Sequence, residues 1–220
     1  MQNAIFTEAR NRMVDSQIRP NRVTDPRIIA AMRWLPRERF LPPALVSLAY
    51  IDEDIPLGNQ RVLVEPLVTA RLVQLAAANP GENALVVAAG VGYGAALLAA
   101  CGPRVTALEE DPALLALARS TLAEIAPEVA VVSGPPASGW PAGAPYDVIL
   151  IEGAAPAVPR AVGQQLRAPG GRLATVLRTN ARTGQAVLAE ATQAGLRAQP
   201  MFDCATPLIP SLAPAPAFVF

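Results

Sequence analysis

The stretch ALVVAAGVGYGAALLAACGPRVTALEED, residues 84–111, decides the fold of this chain. Its beginning, Ala84–Ala88, is apolar and predicts a short buried strand. Three glycines follow at a spacing of two: Gly90, Gly92 and Gly94. Glycine has no Cβ, so the backbone here can turn sharply and pass close to a ligand. We therefore predict a strand that ends in a glycine turn.

The second half of the stretch predicts a helix, another strand and an acid. Small residues over Ala95–Cys101 favour a helix, and Arg104–Leu108 predicts a second strand that ends in Glu109. A helix that begins at the turn directs free N–H groups at a ligand. The carboxylate of Glu109, 17 residues after Gly92, can accept both ribose hydroxyl hydrogens. Together these elements indicate a nucleotide site.

Two other interpretations of this stretch need no ligand. Ala84–Cys101 is 18 residues without a charge, close to the minimum length of a membrane span. Its three glycines and the need for a turn argue against a span, and we expect no membrane partner. A purely structural turn in an α/β core also fits, because many folds use such turns without a ligand.

Composition narrows the function classes. The chain has 220 residues, of which 52% are hydrophobic, which suits one α/β domain with an extension. The formal net charge is zero and no basic run occurs, so nothing favours nucleic acid as a partner. Histidine is absent, which excludes Ser-His and Cys-His catalysis and makes a metal site unexpected. Cys101 and Cys204 match no metal motif, and the first residues do not resemble a signal peptide, so we expect a cytoplasmic protein.

The chain around the glycine turn alternates between strand and helix patterns. Over residues 66–178 this alternation predicts a parallel sheet covered by helices on both faces. The further predicted elements are a helix opened by Pro66 and ended by Asn79-Pro80-Gly81, a helix over Pro112–Ala126, strands over Glu128–Ser133 and Tyr146–Ile151, a helix over Ala157–Arg167 and a strand over Arg172–Arg178. Gly134–Pro145, with four prolines and three glycines, predicts a loop.

The N-terminal part predicts helices followed by loops. Residues 2–18 have a helical pattern, and Asp25-Pro26 predicts the start of a second helix, with proline at its first position. The acids of Ile51–Pro56 predict a solvated loop. Gly58–Glu65 is a polar segment that becomes apolar before the next helix.

The C-terminal part gives weaker signals. Gln185–Gln193 is rich in Ala, Glu and Gln, which favours a helix. Leu196–Cys204 and Ala217–Phe220 have strand-like patterns. Propensity alone therefore predicts a helix followed by two strands.

The order of motifs resembles the protein-L-isoaspartate O-methyltransferase family, which uses S-adenosylmethionine. The resemblance runs collinearly from about Gln17 to Pro210. Its most specific segments are DPRIIAAMRWLPRERFLPPAL, residues 25–45, and APYDVILIEGAAPAVP, residues 144–159. The segments AYIDEDIPLG, EPLVTARL, GVGYGAALLA, VTALEEDPALLALAR and QLRAPGGRLATVL also match.

The resemblance implies a Rossmann-like, doubly wound and mainly parallel α/β sheet of the class I methyltransferase type. It adds an N-terminal helical extension and C-terminal antiparallel strands, which makes Gln185–Gln193 a strand against its propensity. It also implies one domain over 1–220. A helical extension with a substrate-side loop would cover 1–65, the nucleotide-binding core 66–178 and the C-terminal strands 179–220.

The resemblance also assigns the site residue by residue. S-adenosylmethionine would lie against residues at the ends of the first two strands: Ala88, Ala89, Gly90, Val91, Gly92, Tyr93, Glu109 and Glu110. The substrate, an isoaspartyl-containing protein or peptide, would lie between two segments that contain Leu63, Val64, Glu65, Glu152 and Ala154.

Four positions depart from the family pattern. An acid and a glycine at the first strand are replaced by Val86 and Ala88, and an acid that faces the adenine amino group is replaced by Pro135. The active-site serine falls at Val64, so no catalytic residue is assigned. The methionine part of the cofactor is zwitterionic, and a buried charge without partners costs several kcal/mol. We therefore expect weakened cofactor affinity.

Three functions fit these observations. The first is methyl transfer from S-adenosylmethionine to the α-carboxylate of isoaspartyl residues, which depends on positioning and needs no general base. The second is a degenerate family member that acts as a binding or scaffold protein. The third is a methyltransferase with another acceptor, in which Glu65 or Glu152 enters the emptied site. The simpler interpretation makes Glu65 a helix-start acid and Glu152 a solvated loop acid.

Overall fold

The structure, a computed structural model, describes residues 2–178 and 183–214. Its helices are α1 (Gln2–Met13), α2 (Pro26–Trp34), α3 (Pro66–Ala76), α4 (Tyr93–Ala99), α5 (Pro112–Ile125) and α6 (Arg160–Gly163). Its strands are β1 (Ile55–Gly58), β2 (Arg61–Leu63), β3 (Asn83–Val87), β4 (Arg104–Glu109), β5 (Ala130–Ser133), β6 (Val148–Ala155), β7 (Arg172–Leu177), β8 (Gly184–Thr192) and β9 (Gly195–Cys204). None of the helices within these residues is both long and apolar enough to cross a membrane.

The described strands form a seven-stranded sheet and a separate hairpin. The sheet order is β5-β4-β3-β6-β7-β8-β9; the first five strands pair in parallel, and β8 pairs antiparallel with both β7 and β9. The strand order reverses at β3, whose neighbours are β4 and β6, so a crevice is expected at the carboxyl ends of these strands. This topology confirms the predicted doubly wound sheet and its C-terminal antiparallel pair.

The core lies on both faces of the sheet, which explains why β3 is a continuous apolar run. Ala84 and Val86 belong to one buried cluster, which includes residues of α3, α4 and α5. Leu85 and Val87 belong to a second cluster on the opposite face. Alternate side chains of a strand point to opposite faces of the sheet. When both faces are buried, every position of the strand is buried and favours an apolar residue.

Two segments that were predicted to be helices have a different structure. The segment Ala157–Arg167 forms only the four-residue α6, because Pro159 precedes its first residue and Leu166 already bridges to Tyr146. Propensity also failed for Gln185–Gln193, which lies in β8 up to Thr192, as the family resemblance implied. There, pairing with β7 and β9 on both sides outweighs the helix preference of its residues. Ala217–Phe220 lies outside the described residues.

The segment before α3 is a hairpin rather than a loop. β1 and β2 pair antiparallel with each other, and within the described residues neither strand joins the main sheet. Asn59 and Gln60 make the turn with φ of +47° and +58°, the left-handed pair that a tight hairpin turn uses. The expected solvated acidic loop holds for Asp52 and Glu53, whereas Asp54 is partly buried.

Candidate functional site

A glycine turn joins β3 to α4 at the crevice. Gly90 and Gly92 have φ of +56° and +91°, in the left-handed region, and a Cβ on Gly92 would lie 2.7 Å from Cδ1 of Leu122. Ala88 is also left-handed, with φ of +55°, a conformation that costs an alanine about 1–2 kcal/mol. The helix begins directly after the turn, at Tyr93. The backbone therefore has the form that the sequence predicted.

The carboxylate of Glu109, at the end of β4, is fully buried and accepts hydrogen bonds from five donors. Oε2 accepts from the amide of Gly90 at 2.7 Å, and Oε1 accepts from the amides of Glu110 and Asp111 at 2.9 and 2.8 Å. The other two donors are Nη1 and Nη2 of Arg61, at 2.8 Å from Oε1 and 2.9 Å from Oε2. An ionised carboxylate offers about four lone-pair sites, so Glu109 has no acceptor capacity left.

Arg61 reaches Glu109 from the β1–β2 hairpin. Its side chain is 7% exposed, and Nη2 also donates to the carbonyl of Ala88 at 3.0 Å. A second contact holds the turn of the hairpin in place, because Nδ2 of Asn59 donates to Oδ2 of Asp111 at 2.9 Å. The hairpin thus touches both the glycine turn and the end of β4.

Arg61 also lines two cavities at the crevice. One, of about 10 Å³, has a wall formed by Gln60, Arg61, Val62, Glu152, Gly153, Pro207, Leu208 and Ile209. The other, of about 240 Å³, is lined by Asn59, Arg61, Glu110, Asp111, Pro210 and Ser211. Sites for small-molecule ligands and cofactors typically measure about 300–1,000 Å³, so neither cavity alone holds an adenosyl ligand in this conformation.

Three further buried polar groups lie beside α4. Cζ of Arg37 lies 4.7 Å from the centroid of the Tyr93 ring, and Nε and Nη2 of Arg37 each donate at 2.8 Å, to the carbonyls of Ala49 and Val64. Within the described part of the chain, Nη1 of Arg37, Oη of Tyr93 and Oε2 of Glu152 lack a partner in hydrogen-bonding geometry. Unsatisfied buried polar atoms are few in native proteins, so a group of three marks this as a polar pocket of the core.

Glu152 lies in β6 and is 8% exposed, so its interpretation as a solvated loop acid was wrong. Its carboxylate fills the space that a side chain at position 94 would need, since a Cβ on Gly94 would lie 2.5 Å from Oε2. Burial raises the pKa of Glu152 to about 7, with a further rise from the charge of Glu109; Arg37 and Arg61 oppose this shift. We therefore expect Glu152 to be a weaker acid than an exposed glutamate.

The substrate-side segment runs from β2 into α3. Val64, at the family's serine position, is buried, and its side chain offers no hydrogen bond. Glu65 precedes α3 directly, as the interpretation as a helix-start acid expected, and its amide donates to Oδ1 of Asp54 at 2.7 Å. Burial raises the pKa of Glu65 to about 6, and the negative charges of Asp54 and Asp52 add to the rise.

The structure brings the predicted cofactor-side residues together at the ends of β3 and β4. These residues are Ala88, Ala89, Gly90, Val91, Gly92, Tyr93, Glu109 and Glu110. Of the predicted substrate-side residues, Leu63, Val64 and Glu65 follow one another between β2 and α3, and Glu152 and Ala154 lie in β6. Val86 is buried in the core on the α3 face, and Pro135 is exposed after β5.

Sequence reasoning missed Arg61 and Arg37, two buried cations beside the predicted site residues. The one signal for Arg61 was a charge at the start of the otherwise apolar run RVLV. Arg37 lies in the LPRERFLPP segment, where three charged residues in succession favour exposed positions, yet its side chain is fully buried. In both cases the partner is more than ten positions away in sequence, as with Glu109 for Arg61 and Ala49 for Arg37.

Comparisons with known proteins agree with one another. The family model for protein-L-isoaspartate(D-aspartate) O-methyltransferase matches residues 8–199. A protein-L-isoaspartate O-methyltransferase of Methylorubrum extorquens is 40% identical over 166 residues, covering 76% of this chain and 72% of the relative. One from Rhodopseudomonas palustris strain HaA2 is 41% identical over 169 residues, covering 76% and 69%.

Solved structures support the fold. A protein-L-isoaspartate O-methyltransferase superposes with a TM-score of 0.78 at 22% identity, and the match covers 92% of this chain but only 65% of that one. A Plasmodium falciparum structure, titled as a putative protein-L-isoaspartate O-methyltransferase in complex with S-adenosyl-L-homocysteine, has a TM-score of 0.75 at 16% identity. That match covers 90% of this chain and 97% of the other.

Proposed function

Because the chain belongs to the protein-L-isoaspartate(D-aspartate) O-methyltransferase family, we propose that it transfers the methyl group of S-adenosylmethionine to the α-carboxylate of isoaspartyl residues, and does so slowly. The observation that carries this proposal is the position of Glu109. Its buried carboxylate ends β4, beside the left-handed Gly90 and Gly92 that end β3. This is the place where an open α/β sheet binds a nucleoside.

The side chains fit the cofactor less well than the backbone does. Arg61 already occupies the carboxylate that the ribose would need. Val86 and Pro135 offer no polar side-chain atom at the two positions where the family carries acids, and Ala88 keeps the strained glycine conformation. To bind at Glu109, the cofactor must therefore displace hydrogen bonds that the protein already makes within itself, those of Arg61 with Glu109.

The protein's own residues have limited chemical work in this reaction. S-adenosylmethionine supplies an electrophilic methyl group on a sulfonium. A carboxylate is already nucleophilic, so the chain has to hold it in line and exclude water, and needs no histidine. The segments Leu63–Glu65 and Glu152–Ala154 would hold the peptide on its two sides. Arg37, which donates to the carbonyl of Val64, places a positive charge under the first of these segments, where it favours a carboxylate.

The rate of methyl transfer tests this function. Radiolabelled methyl transfer to an isoaspartyl peptide should be slow in the wild type and faster in a variant with Val64→Ser, Val86→Glu, Ala88→Gly and Pro135→Asp. If each lost contact costs about 1 kcal/mol, four together slow the reaction nearly a thousandfold. A peptide of the same sequence with normal aspartate is the control and should not be methylated. Fast turnover by the wild type would contradict the slow reaction.

The saturation of Glu109 favours a second candidate function, a binding or scaffold protein of the methyltransferase fold. In that case the ion pair of Glu109 with Arg61 is a permanent part of the core. Calorimetry separates the two candidates, because a scaffold binds neither S-adenosylmethionine nor S-adenosylhomocysteine at millimolar concentration. Saturable binding together with methyl transfer would exclude the scaffold.

A further inference from the structure

We infer that Arg61 is an internal competitor of the nucleoside, so that the β1–β2 hairpin, residues 55–63, gates the site and sets its affinity for the ribose of an adenine nucleoside. This inference rests on the proposed function only for the chemical class of the ligand. Arg61 would then be the residue of this chain that determines how tightly a ribose diol binds.

Glu109 has no free acceptor capacity for a ribose. Five donors already reach its two oxygens, and a ribose diol would bring two more. The amides of Gly90, Glu110 and Asp111 are fixed by the glycine turn and by the start of α5, so they cannot withdraw without unfolding those turns. Only the guanidinium of Arg61 is carried by a side chain, so it is the donor that has to leave.

Arg61 is a stronger hydrogen-bond donor to Glu109 than a ribose hydroxyl is. Arg61 gives Glu109 two parallel charge-assisted hydrogen bonds, whereas ribose hydroxyls are neutral donors. Replacement of the Arg61 hydrogen bonds by those of ribose hydroxyls is therefore unfavourable at this carboxylate. The apparent affinity of the nucleoside is its intrinsic affinity multiplied by the fraction of molecules in which Arg61 has withdrawn, so a small fraction makes binding weak.

The construction of the hairpin makes withdrawal possible. Among the described residues, β1 and β2 pair only with each other, so a shift of the hairpin breaks no hydrogen bond of the main sheet. Ile55 and Leu63, at its two ends, are buried and act as anchors, whereas Gly58, Asn59 and Gln60 at its tip are exposed. Among the hydrogen bonds of the described residues, those of Asn59 and Arg61 alone join the hairpin to the crevice.

A purely structural ion pair is the alternative, and nucleoside affinity separates the two. If Arg61 only stabilises the fold, its replacement lowers stability and leaves nucleoside affinity unchanged or weaker. If Arg61 competes with the ribose, its replacement strengthens binding. The three backbone amides keep Glu109 hydrogen-bonded in either case.

Isothermal titration calorimetry with adenosine and with S-adenosylhomocysteine tests the inference. Arg61→Met keeps the length of the side chain and removes its charge, and should bind both probes at least about tenfold more tightly than the wild type. Arg61→Lys keeps the charge but loses the bidentate geometry, and should lie between the two. Arg39→Met removes an arginine whose ion pair with Glu124 lies on the surface, and should leave affinity unchanged.

Thermal unfolding is recorded for each variant, so that affinities are compared between folded proteins. Glu109→Gln in the Arg61→Met background should cancel the gain, because the gain requires the carboxylate. Equal or weaker binding by folded Arg61→Met overturns the inference, as does the absence of binding in both wild type and variant. Should Arg61→Met fail to fold, unchanged affinity in Arg61→Lys overturns it.

The gate and the proposed function fail in different ways in these experiments. Calorimetry uses no methyl acceptor and no turnover. Tighter binding by Arg61→Met without methyl transfer would refute the proposed function and leave the gate in place. Methyl transfer with an affinity that does not depend on Arg61 would refute the gate alone.

Discussion

Two buried glutamates flank β3 and have opposite surroundings. Glu109 ends β4 on one side of β3, and its carboxylate accepts five hydrogen bonds, two of them from Arg61. Glu152 lies in β6 on the other side, and its Oε2 has no partner within the described residues. Burial is nearly equal, at 0% and 8% exposure, so it does not explain the difference.

The local backbone explains why Glu109 accepts many hydrogen bonds and Glu152 does not. Glu109 sits where the glycine turn and the start of α5 direct three amides at one point, and the hairpin adds a guanidinium. Glu152 lies within a strand, at an irregularity of pairing between Leu150 and Ala154, and within the described residues its Oε2 accepts no hydrogen bond. A buried carboxylate is held as an anion by the donors around it, and burial alone drives it towards the protonated form.

The largest expected effect is the loss of Glu109. Glu109→Gln should lower the free energy of unfolding by about 3–5 kcal/mol, because it leaves the buried Arg61 without a counter-ion. Urea unfolding at neutral pH measures this. Glu124→Gln is the matched control, since Glu124 pairs with Arg39 at the surface with both side chains more than half exposed, and it should cost less than about 1 kcal/mol. Equal costs for the two variants would show that the Glu109 pair is not buried in solution.

The next effect is the pH dependence that Glu152 gives to stability. Its folded-state pKa, about 7, is above its ordinary value of 4.5. The stability it contributes is therefore fully present below about pH 4.5 and is lost as the pH rises through 7, on the order of 3 kcal/mol in all. Glu152→Gln should remove this loss, so the variant gains stability relative to wild type as pH rises.

Unfolding curves measured between about pH 4 and pH 9 test this expectation. Glu65→Gln is the comparison variant, because the pKa of Glu65 is raised only to about 6 and Glu65 is partly exposed. The stability difference between Glu65→Gln and wild type should change between about pH 4.5 and 6, stay constant above that, and total about 1 kcal/mol or less. If the free energy of unfolding depends on pH in the same way in wild type and Glu152→Gln, Glu152 carries no proton near neutral pH.

The smallest effect concerns Ala88, whose carbonyl also accepts from Arg61. Ala88→Gly should change the free energy of unfolding by less than about 0.5 kcal/mol, because released left-handed strain offsets the lost methyl and the added backbone entropy. Ala95→Gly, in α4, loses the same methyl without strain to release, and should cost about 1–2 kcal/mol. Equal costs would mean that Ala88 is not strained.

The sequence predicted the parts of the fold that local patterns determine. β3, the glycine turn, β4 and Glu109 follow from one stretch, because apolar runs, glycines and a terminal acid each have a direct structural meaning. The strand at Gln185–Gln193 did not follow from its residues, since pairing on both sides overrides the helix preference of Ala, Glu and Gln. There, only the family resemblance gave the correct element.

The side-chain network of the site was beyond local reasoning. The hairpin that carries Arg61 was hidden because Asn59-Gln60 lacks the glycine that usually marks such a turn. The pairing of Arg61 with Glu109 spans 48 positions, and nothing in either segment indicates it. Glu152 was assigned to the loop after a strand predicted to end at Ile151, but β6 continues to Ala155, and the cost of burying the acid appears in its raised pKa.

The most direct test of the account is a double-mutant cycle between Arg61 and Glu109. The free energy of unfolding is measured by urea for wild type, Arg61→Met, Glu109→Gln and the double variant, at neutral pH and moderate salt. We expect a coupling energy of about 2–4 kcal/mol, because the pair is close, bidentate and desolvated. A coupling energy below about 0.5 kcal/mol would mean that Arg61 does not pair with Glu109 in solution, and would contradict the occupied carboxylate on which both the slow reaction and the gate depend.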